Sequence, residues 1–290
     1  MRLKSKITGL ISGLLAMPAF AEEGLEIIGQ PLADGIGFQP AATKLARDLQ
    51  WLDGMILIII TAITVFVLGL LAYVILRYNR KANPVPETFT HNSTVEVAWT
   101  VIPIVILVFI GAFSLPVLFD QQKIPEGEVN IKVTGNQWYW GYEYVDEGFE
   151  FDSFLIGDDK VLTPEVELEL QEAGYTRDQF LLATDTAVVV PVDKIVVMQV
   201  TGADVIHSWT IPAFGVKQDA VPGRLGQLWF KAEKEGIYFG QCSDLCGEDH
   251  AYMLITVKVV SQDAYKAWLS AAKSEYAGTT QSYNLAEVSE

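Results

Sequence analysis

The chain has 290 residues, half of them hydrophobic, with two cysteines and a formal charge of −16. So acidic a balance excludes a nucleic-acid partner held by its phosphates, and two cysteines are too few for zinc frameworks built from Cys-x-x-Cys pairs. The charge is unevenly placed: residues 1–119 balance 8 acids with 8 bases, whereas residues 120–290 hold 28 acids and 12 bases.

Residues 1–21 carry Arg2, Lys4 and Lys6, then an apolar run from Ile7 to Phe20 and Ala19-Phe-Ala21. This pattern predicts a secretory signal cleaved after Ala21. A periplasmic segment follows over residues 22–53. Two uncharged apolar runs, Gly54–Leu76 and Ala98–Phe119, then exceed the roughly 18 residues that mark a membrane helix. Pro103 and Pro116 are tolerable there, because neighbouring helices can satisfy the freed backbone groups. Together residues 54–119 predict a two-helix transmembrane hairpin. Its connector, residues 77–97, bears Arg77, Arg80 and Lys81, which puts it in the cytoplasm and both flanks in the periplasm.

From residue 120 the pattern changes to short β-branched and aromatic runs between glycine and proline turns. Val129-Ile131-Val133, Ile195–Thr201, Leu228–Lys231, Ile237–Phe239 and Ile255-Val257-Val259 read as strands of a small all-β sandwich or barrel over residues 120–260. An acidic insertion at about 157–179 contains Thr163-Pro164-Glu165 through Gly174, the N-cap, first-turn and C-cap residues of a short helix. Residues 261–290 predict a helix, capped by Ser261 and carrying Tyr265, Trp268, Leu269 and Ala272 at helical spacing, and then a tail beyond Ala277.

The densest chemistry lies in Cys242-Ser-Asp244-Leu-Cys246-Gly-Glu-Asp-His250-Ala-Tyr-Met253: two thiols, an imidazole and a thioether in twelve residues. Thiolate, thioether and imidazole together form the soft donor set of electron-transfer copper sites. A mononuclear blue copper centre needs one cysteine, so a second four residues away suggests two bridging thiolates. His207, in Asp-Val-Ile-His207-Ser-Trp, is the natural remote ligand. A disulfide is the ordinary fate of two cysteines in an exported domain, but it leaves His250 and Met253 unexplained. Tetrahedral zinc has no use for the methionine.

These five residues, with Gln-Trp138-Tyr-Trp140 and Asp-Ala-Val-Pro-Gly-Arg224, closely resemble subunit II of the cytochrome c oxidases, most like the bacterial form. The resemblance covers nearly the whole mature chain. It implies a membrane α-helical hairpin plus an all-β cupredoxin-like sandwich, in a bacterial inner membrane with the copper domain in the periplasm. It makes Cys242 and Cys246 bridging thiolates of a dinuclear copper centre. His207 and Met253 would complete one copper, and His250 and the carbonyl of Asp244 the other. The carboxylate of Asp244 would face magnesium at the boundary with subunit I. It is one methylene shorter than the family's usual glutamate, which calls for a bridging water. Trp138 resembles the tryptophan through which electrons arrive, and Glu143, Asp185 and Asp204 match docking carboxylates for cytochrome c. Glu96, in Val-Glu96-Val-Ala-Trp99, matches the mouth of a proton-uptake channel. The implied partners are subunit I with its haems and copper, the other oxidase subunits, cytochrome c, copper-delivery proteins and the lipid bilayer.

Three rivals share part of this pattern. A quinol oxidase subunit II keeps the hairpin and β domain without the copper ligands. A membrane-tethered periplasmic copper-binding or disulfide-stapled binding protein is a second alternative. The copper domain of nitrous oxide reductase follows a large catalytic domain that has no counterpart here.

Overall fold

A computed structural model describes residues 24–157 and 159–276. The expected export signal over residues 1–21 and the tail beyond Ala277 lie outside the described residues.

The hairpin consists of helices α1 (Lys44–Arg77) and α2 (Ser93–Gln122). The Thr43 hydroxyl accepts the N–H of Ala46 at 2.9 Å, and the Asn92 side chain accepts that of Val95 at 3.2 Å, so each helix opens on a side-chain N-cap. At 1.5 Å per residue their 34 and 30 residues span about 51 and 45 Å. Both therefore outrun a hydrocarbon core of about 30 Å, and both extend past the apolar runs that mark them in the sequence. Leu57, Phe66, Ile75, Trp99 and Leu107 stand exposed along their length, as expected of helices solvated by lipid or by another membrane subunit. Trp51 packs on Phe113 with ring centroids 5.8 Å apart. The helix continues through Pro103 and Pro116. Glu96 lies in the first turn of α2, where a carboxylate is favoured by the helix dipole.

The β part has two sheets. One has strand order β1-β10-β11-β5, formed by Ile27–Gly29, Gly236–Gln241, Leu254–Val260 and Val188–Pro191. The other has order β4-β3-β2-β6-β9, formed by Phe149–Ser153, Tyr139–Tyr144, Val129–Asn136, Ile195–Gly202 and Gly226–Lys231. A separate hairpin pairs β7 (His207–Ile211) with β8 (Val216–Ala220). In β2 and β3 side chains alternate strictly, burying Val129, Ile131 and Val133 on one strand and Trp140, Tyr142 and Tyr144 on the other. The buried tyrosines keep their hydroxyls satisfied. Tyr144 donates to the Val189 carbonyl at 2.7 Å across the sandwich, and Tyr142 accepts from the Trp209 indole at 3.2 Å.

The expected insertion helix is α3 (Pro164–Glu172), capped by Thr163 and followed by Gly174 at φ 85°. The C-terminal helix is α4 (Gln262–Glu275), capped by Ser261.

The hairpin and the sandwich meet at the base of α1. The Thr43 hydroxyl donates to the Phe214 carbonyl at 2.7 Å, Arg47 forks onto Glu233 at 2.6 and 3.0 Å, and the Trp229 indole donates to the Asp120 carbonyl at 3.1 Å. Gly215, at φ 67°, makes this approach possible, since a Cβ there would lie 2.6 Å from the Cα of Ala46. Gly215→Ala is therefore expected to destabilise the full chain by about 1–3 kcal/mol, through left-handed strain and loss of the close contact. A lowered urea midpoint in detergent is the readout, and an unchanged midpoint contradicts this account.

Candidate metal centre

Strand β10 ends at Gln241 and β11 begins at Leu254, directly paired in an antiparallel ladder. The twelve residues between them form the loop bearing the two cysteines. One further rung closes its base, with the Cys242 N–H donating to the Met253 carbonyl at 2.9 Å. The Ser243 N–H reaches the Ser208 carbonyl at 2.9 Å, which draws the loop onto β7 next to His207. A short 3-10 turn, His250–Tyr252, brings the loop back.

Four of the five predicted side-chain ligands are almost wholly buried: His207, Cys242, Cys246 and Met253 are 0%, 2%, 4% and 1% exposed. The Sγ atoms of Cys242 and Cys246 lie 3.7 Å apart as free thiols, too far for a disulfide. His207, Cys242 and Cys246 bring their ligand atoms within 4.8 Å of one another. His250 joins through Cys246, its Nδ1 3.6 Å from the sulfur. The Asp244 carbonyl oxygen lies 3.2 Å from the Cys242 sulfur. Met253 is buried in the same core cluster as the two cysteines.

The histidine is held in one orientation. Its Nε2 is 2.8 Å from the Asp204 carboxylate, while its buried Nδ1 has no hydrogen-bond partner. That leaves Nδ1 as the imidazole atom available to the sulfurs, and an orphaned buried nitrogen beside two thiols fits a soft metal ion. Gly135 on β2 makes room for the ring, because a Cβ there would fall 2.8 Å from the His207 Cδ2. Burial opposes charge on His207, but the neighbouring Cys242 sulfur and the Asp204 carboxylate outweigh it and raise the imidazole pKa. Burial likewise opposes a Cys242 thiolate, and the neighbouring His207 ring and the Asp244 and Ser208 backbone outweigh it, lowering that thiol. Cys246 moves the other way, raised by burial and by the neighbouring Cys242 charge. Without a cation the pocket holds one negative sulfur more readily than two.

Trp138 is half-buried at the edge of this group. Its indole N–H donates to the Cys246 carbonyl at 3.2 Å, and Gln137 Nε2 donates to the same oxygen at 3.0 Å. Gly247 lets the indole approach, since a Cβ there would lie 2.9 Å from the Trp138 Cζ2. Trp140, read from the sequence as packing, is fully buried with its ring 6.0 Å from that of His207. Each of the predicted docking carboxylates has a local partner of its own. Asp204 accepts from the Gln137 N–H at 2.7 Å as well as bonding His207. Burial opposes its charge, but these bonds and that from Val205 win and lower its pKa. Asp185 accepts the Phe154 N–H at 2.9 Å, and Glu143 pairs with Lys132 at 3.0 Å.

Sequence reasoning missed two acids beside Glu143. Glu150 faces it directly across the β3–β4 ladder, and Asp152 faces Gly141. Both line the same groove as Glu143 and Tyr139, and burial raises the Asp152 carboxyl. The alternation in Phe149-Glu-Phe-Asp-Ser carried the signal, because it turns both acids to the open face. The side chain of Asp244 is not part of the His207, Cys242 and Cys246 group.

The family model for the periplasmic domain of cytochrome c oxidase subunit II matches residues 129–260, and that for the subunit's transmembrane domain matches residues 31–117. Cytochrome c oxidase subunit 2 of Cereibacter sphaeroides is 63% identical over 283 residues, covering 94% of this chain and 93% of that one. The chain belongs to the cytochrome c oxidase subunit II family. Subunit 2 of Arabidopsis thaliana is 40% identical over 242 residues, covering 81% of this chain and 88% of its own. The crystal structure of the periplasmic domain of subunit II of cytochrome oxidase from Bradyrhizobium japonicum is 46% identical. It covers 53% of this chain and 99% of its own, with a TM-score of 0.45.

As a subunit II, the chain is part of a haem-copper terminal oxidase, an oxidoreductase complex, and its role there is electron transfer. It has two membrane-spanning helices and a periplasmic domain. The family binds copper, and the His207, Cys242 and Cys246 group can bind a metal.

Loss of the Asp204 carboxylate frees the His207 ring, so Asp204→Ala is expected to lower copper affinity by about 10–100-fold, as for other outer-shell partners of a ligating histidine. Competitive titration with a copper chelator checks this, and an affinity equal to wild type removes Asp204 from the site.

Proposed function

We propose that Cys242 and Cys246 bridge two copper ions, with His207 and Met253 completing one and His250 and the Asp244 carbonyl the other. The carrying observation is the orphaned, buried Nδ1 of His207 beside two free thiols 3.7 Å apart. Bound there, a dinuclear copper centre supplies a one-electron carrier whose change of charge is spread over two metals. The chain contributes rigidity. Four buried ligands, a loop closed by ladder bonds and an imidazole locked by Asp204 leave little to move when the charge changes.

In this reading cytochrome c delivers electrons at Trp138. From the indole N–H the route to the site is one hydrogen bond to the Cys246 carbonyl and then covalent bonds to its sulfur. Glu143, Asp185 and Asp204, joined by Glu150 and Asp152, give the approach face a negative field that steers a basic donor. Electrons then pass to haem in subunit I, where oxygen is reduced with proton pumping. Glu96 would stand at a proton-uptake mouth, its position at the start of α2 supporting that role. Magnesium would be bound by Asp244 through water together with groups of subunit I. The domain boundaries inferred from the sequence, the export signal over residues 1–21, an inner-membrane location and copper-delivery partners belong to the same proposal.

Electron paramagnetic resonance of the purified oxidase tests the centre. One unpaired electron shared by two equivalent coppers is expected, together with loss of that signal in Cys242→Ser. A spectrum of isolated copper(II) in the wild type overturns the reading. The rate with cytochrome c should also fall as salt is raised across the range in which the Debye length contracts from about 30 to about 10 Å. A rate indifferent to salt removes the docking carboxylates.

A further inference from the structure

Among the described residues the insertion between β4 and β5 contributes none to the metal constellation, yet it is fastened both to the strands that flank that loop and to the loop itself. Its own small core, Ile156, Leu170, Tyr175 and Ala183, is completed by Ile237 and Phe239 of β10. Polar contacts fix it to β11: the Thr184 N–H donates to the Thr256 hydroxyl at 3.1 Å, and Lys258 lies 5.1 Å from the centre of the Tyr175 ring. The insertion is thus bound to the two strands that deliver Cys242 and Met253.

Its tip reaches the loop itself. Lys160 forms an ion pair with the Asp249 carboxylate, and its ammonium stands 4.8 Å from the centre of the Tyr252 ring. Those two residues belong to the turn that carries His250. Asp249 makes no capping bond to that turn with its side chain, so the carboxylate is turned to Lys160 instead. The lysine backbone is itself constrained: it lies at φ 56°, and its N–H donates to the Gly157 carbonyl at 2.9 Å. Gly157, at φ 84°, packs so closely that a Cβ would meet Val166 of α3 at 2.9 Å. Trp138 and Gln137 hold the Cys246 side of the loop, and Lys160 holds the His250 side.

We infer that this insertion is a brace on the 242–253 loop, with Lys160 as the positioning residue through which it fixes His250 and Met253. This rests on the reading of the loop as the copper site. Lys160 and Asp249 are each about one-third exposed, and such pairs add little to global stability. Removing the contact should therefore loosen the turn without unfolding the domain. A merely structural role would do the reverse.

The test uses Lys160→Met, which keeps the apolar stem, and Lys160→Arg, which keeps the ion pair and the cation–π contact. In the purified oxidase, copper transfer to a chelator should be several-fold faster for Lys160→Met and near wild type for Lys160→Arg, with the thermal midpoint unchanged. In the copper-free full chain, Cys242 and Cys246 should be alkylated several-fold faster in Lys160→Met, and Asp249→Asn should reproduce the effect without adding to it. Equal copper release and equal alkylation in Lys160→Met and wild type overturn the brace. So does a lowered thermal midpoint that Lys160→Arg fails to restore. Absence of copper from the wild-type oxidase defeats the copper reading instead, and the alkylation rates then decide the brace alone.

Discussion

The antiparallel register of β10 and β11 is the constraint on which the metal end of the domain depends. Gln241 faces Leu254, and the Cys242 N–H reaches the Met253 carbonyl, so the ladder continues one step into the loop. Ten residues are left to close over one end of the core between fixed ends. The ordering cost of that closure falls mainly on backbone whose partners are already set by the strands. The sulfurs complete the effect. Cysteine and methionine are apolar enough to be buried with a hydrophobic cluster, and here they share one with Trp140, Trp209 and Val257. Cys242, Cys246 and Met253 are therefore gathered by the same burial that forms the core.

Strand β7 links this end of the molecule to the membrane. His207 opens it, and the turn after Ile211 carries Phe214 and Gly215 onto the base of α1. Its five residues span about 17 Å at the usual rise of a strand. His207 and the base of α1 are thus joined through one short, hydrogen-bonded element, and the loop bearing the cysteines is tied to it by the Ser243 to Ser208 bond. Arg47 with Glu233 and Trp229 with Asp120 brace the same junction from the side. An electron carrier that serves a membrane partner needs fixed distances, and these contacts supply them within the chain.

Where one force dominates, the sequence was readable. The apolar runs marked both membrane helices, because twenty uncharged residues have few alternatives to a bilayer, and Thr163, Pro164 and Gly174 marked α3 by capping chemistry. The helix ends were less legible. The first turns of α1 mix Lys44, Arg47 and Asp48 with apolar residues, so they carry no membrane signal; they start at the Thr43 cap, bury Leu45 and Ala46, and rest against Gly215 and Glu233. Several strands were hidden too. Tyr139–Tyr144 reads as an aromatic motif before it reads as β3, and Val188–Pro191 is too short to show a period. The candidate ligands stood out as a constellation because their chemistry is rare, and the fold brings His207, Cys242, Cys246 and His250 together. Their support did not stand out: Gly135, Gly247 and Lys160 act through close approach in space, to which spacing along the chain gives no clue.

Asp204 shows how the same charge can be read in two ways. Near an aromatic patch in an acidic domain, a carboxylate suggests a contact for a basic donor. In the fold its oxygens are engaged by His207 Nε2 and by the N–H groups of Gln137 and Val205. It therefore joins the strand end that carries Trp138 to the imidazole of the metal group, and its negative charge adds to the proton affinity of His207. A cation bound at Nδ1 meets the same field, which favours positive charge at that ring. Part of the acidic surface that would draw in the electron donor is thus also the wall of the site that would receive the electron. The two functions differ physically in range: steering acts across solvent and is screened by salt, whereas a bond of 2.8 Å to a buried imidazole is not.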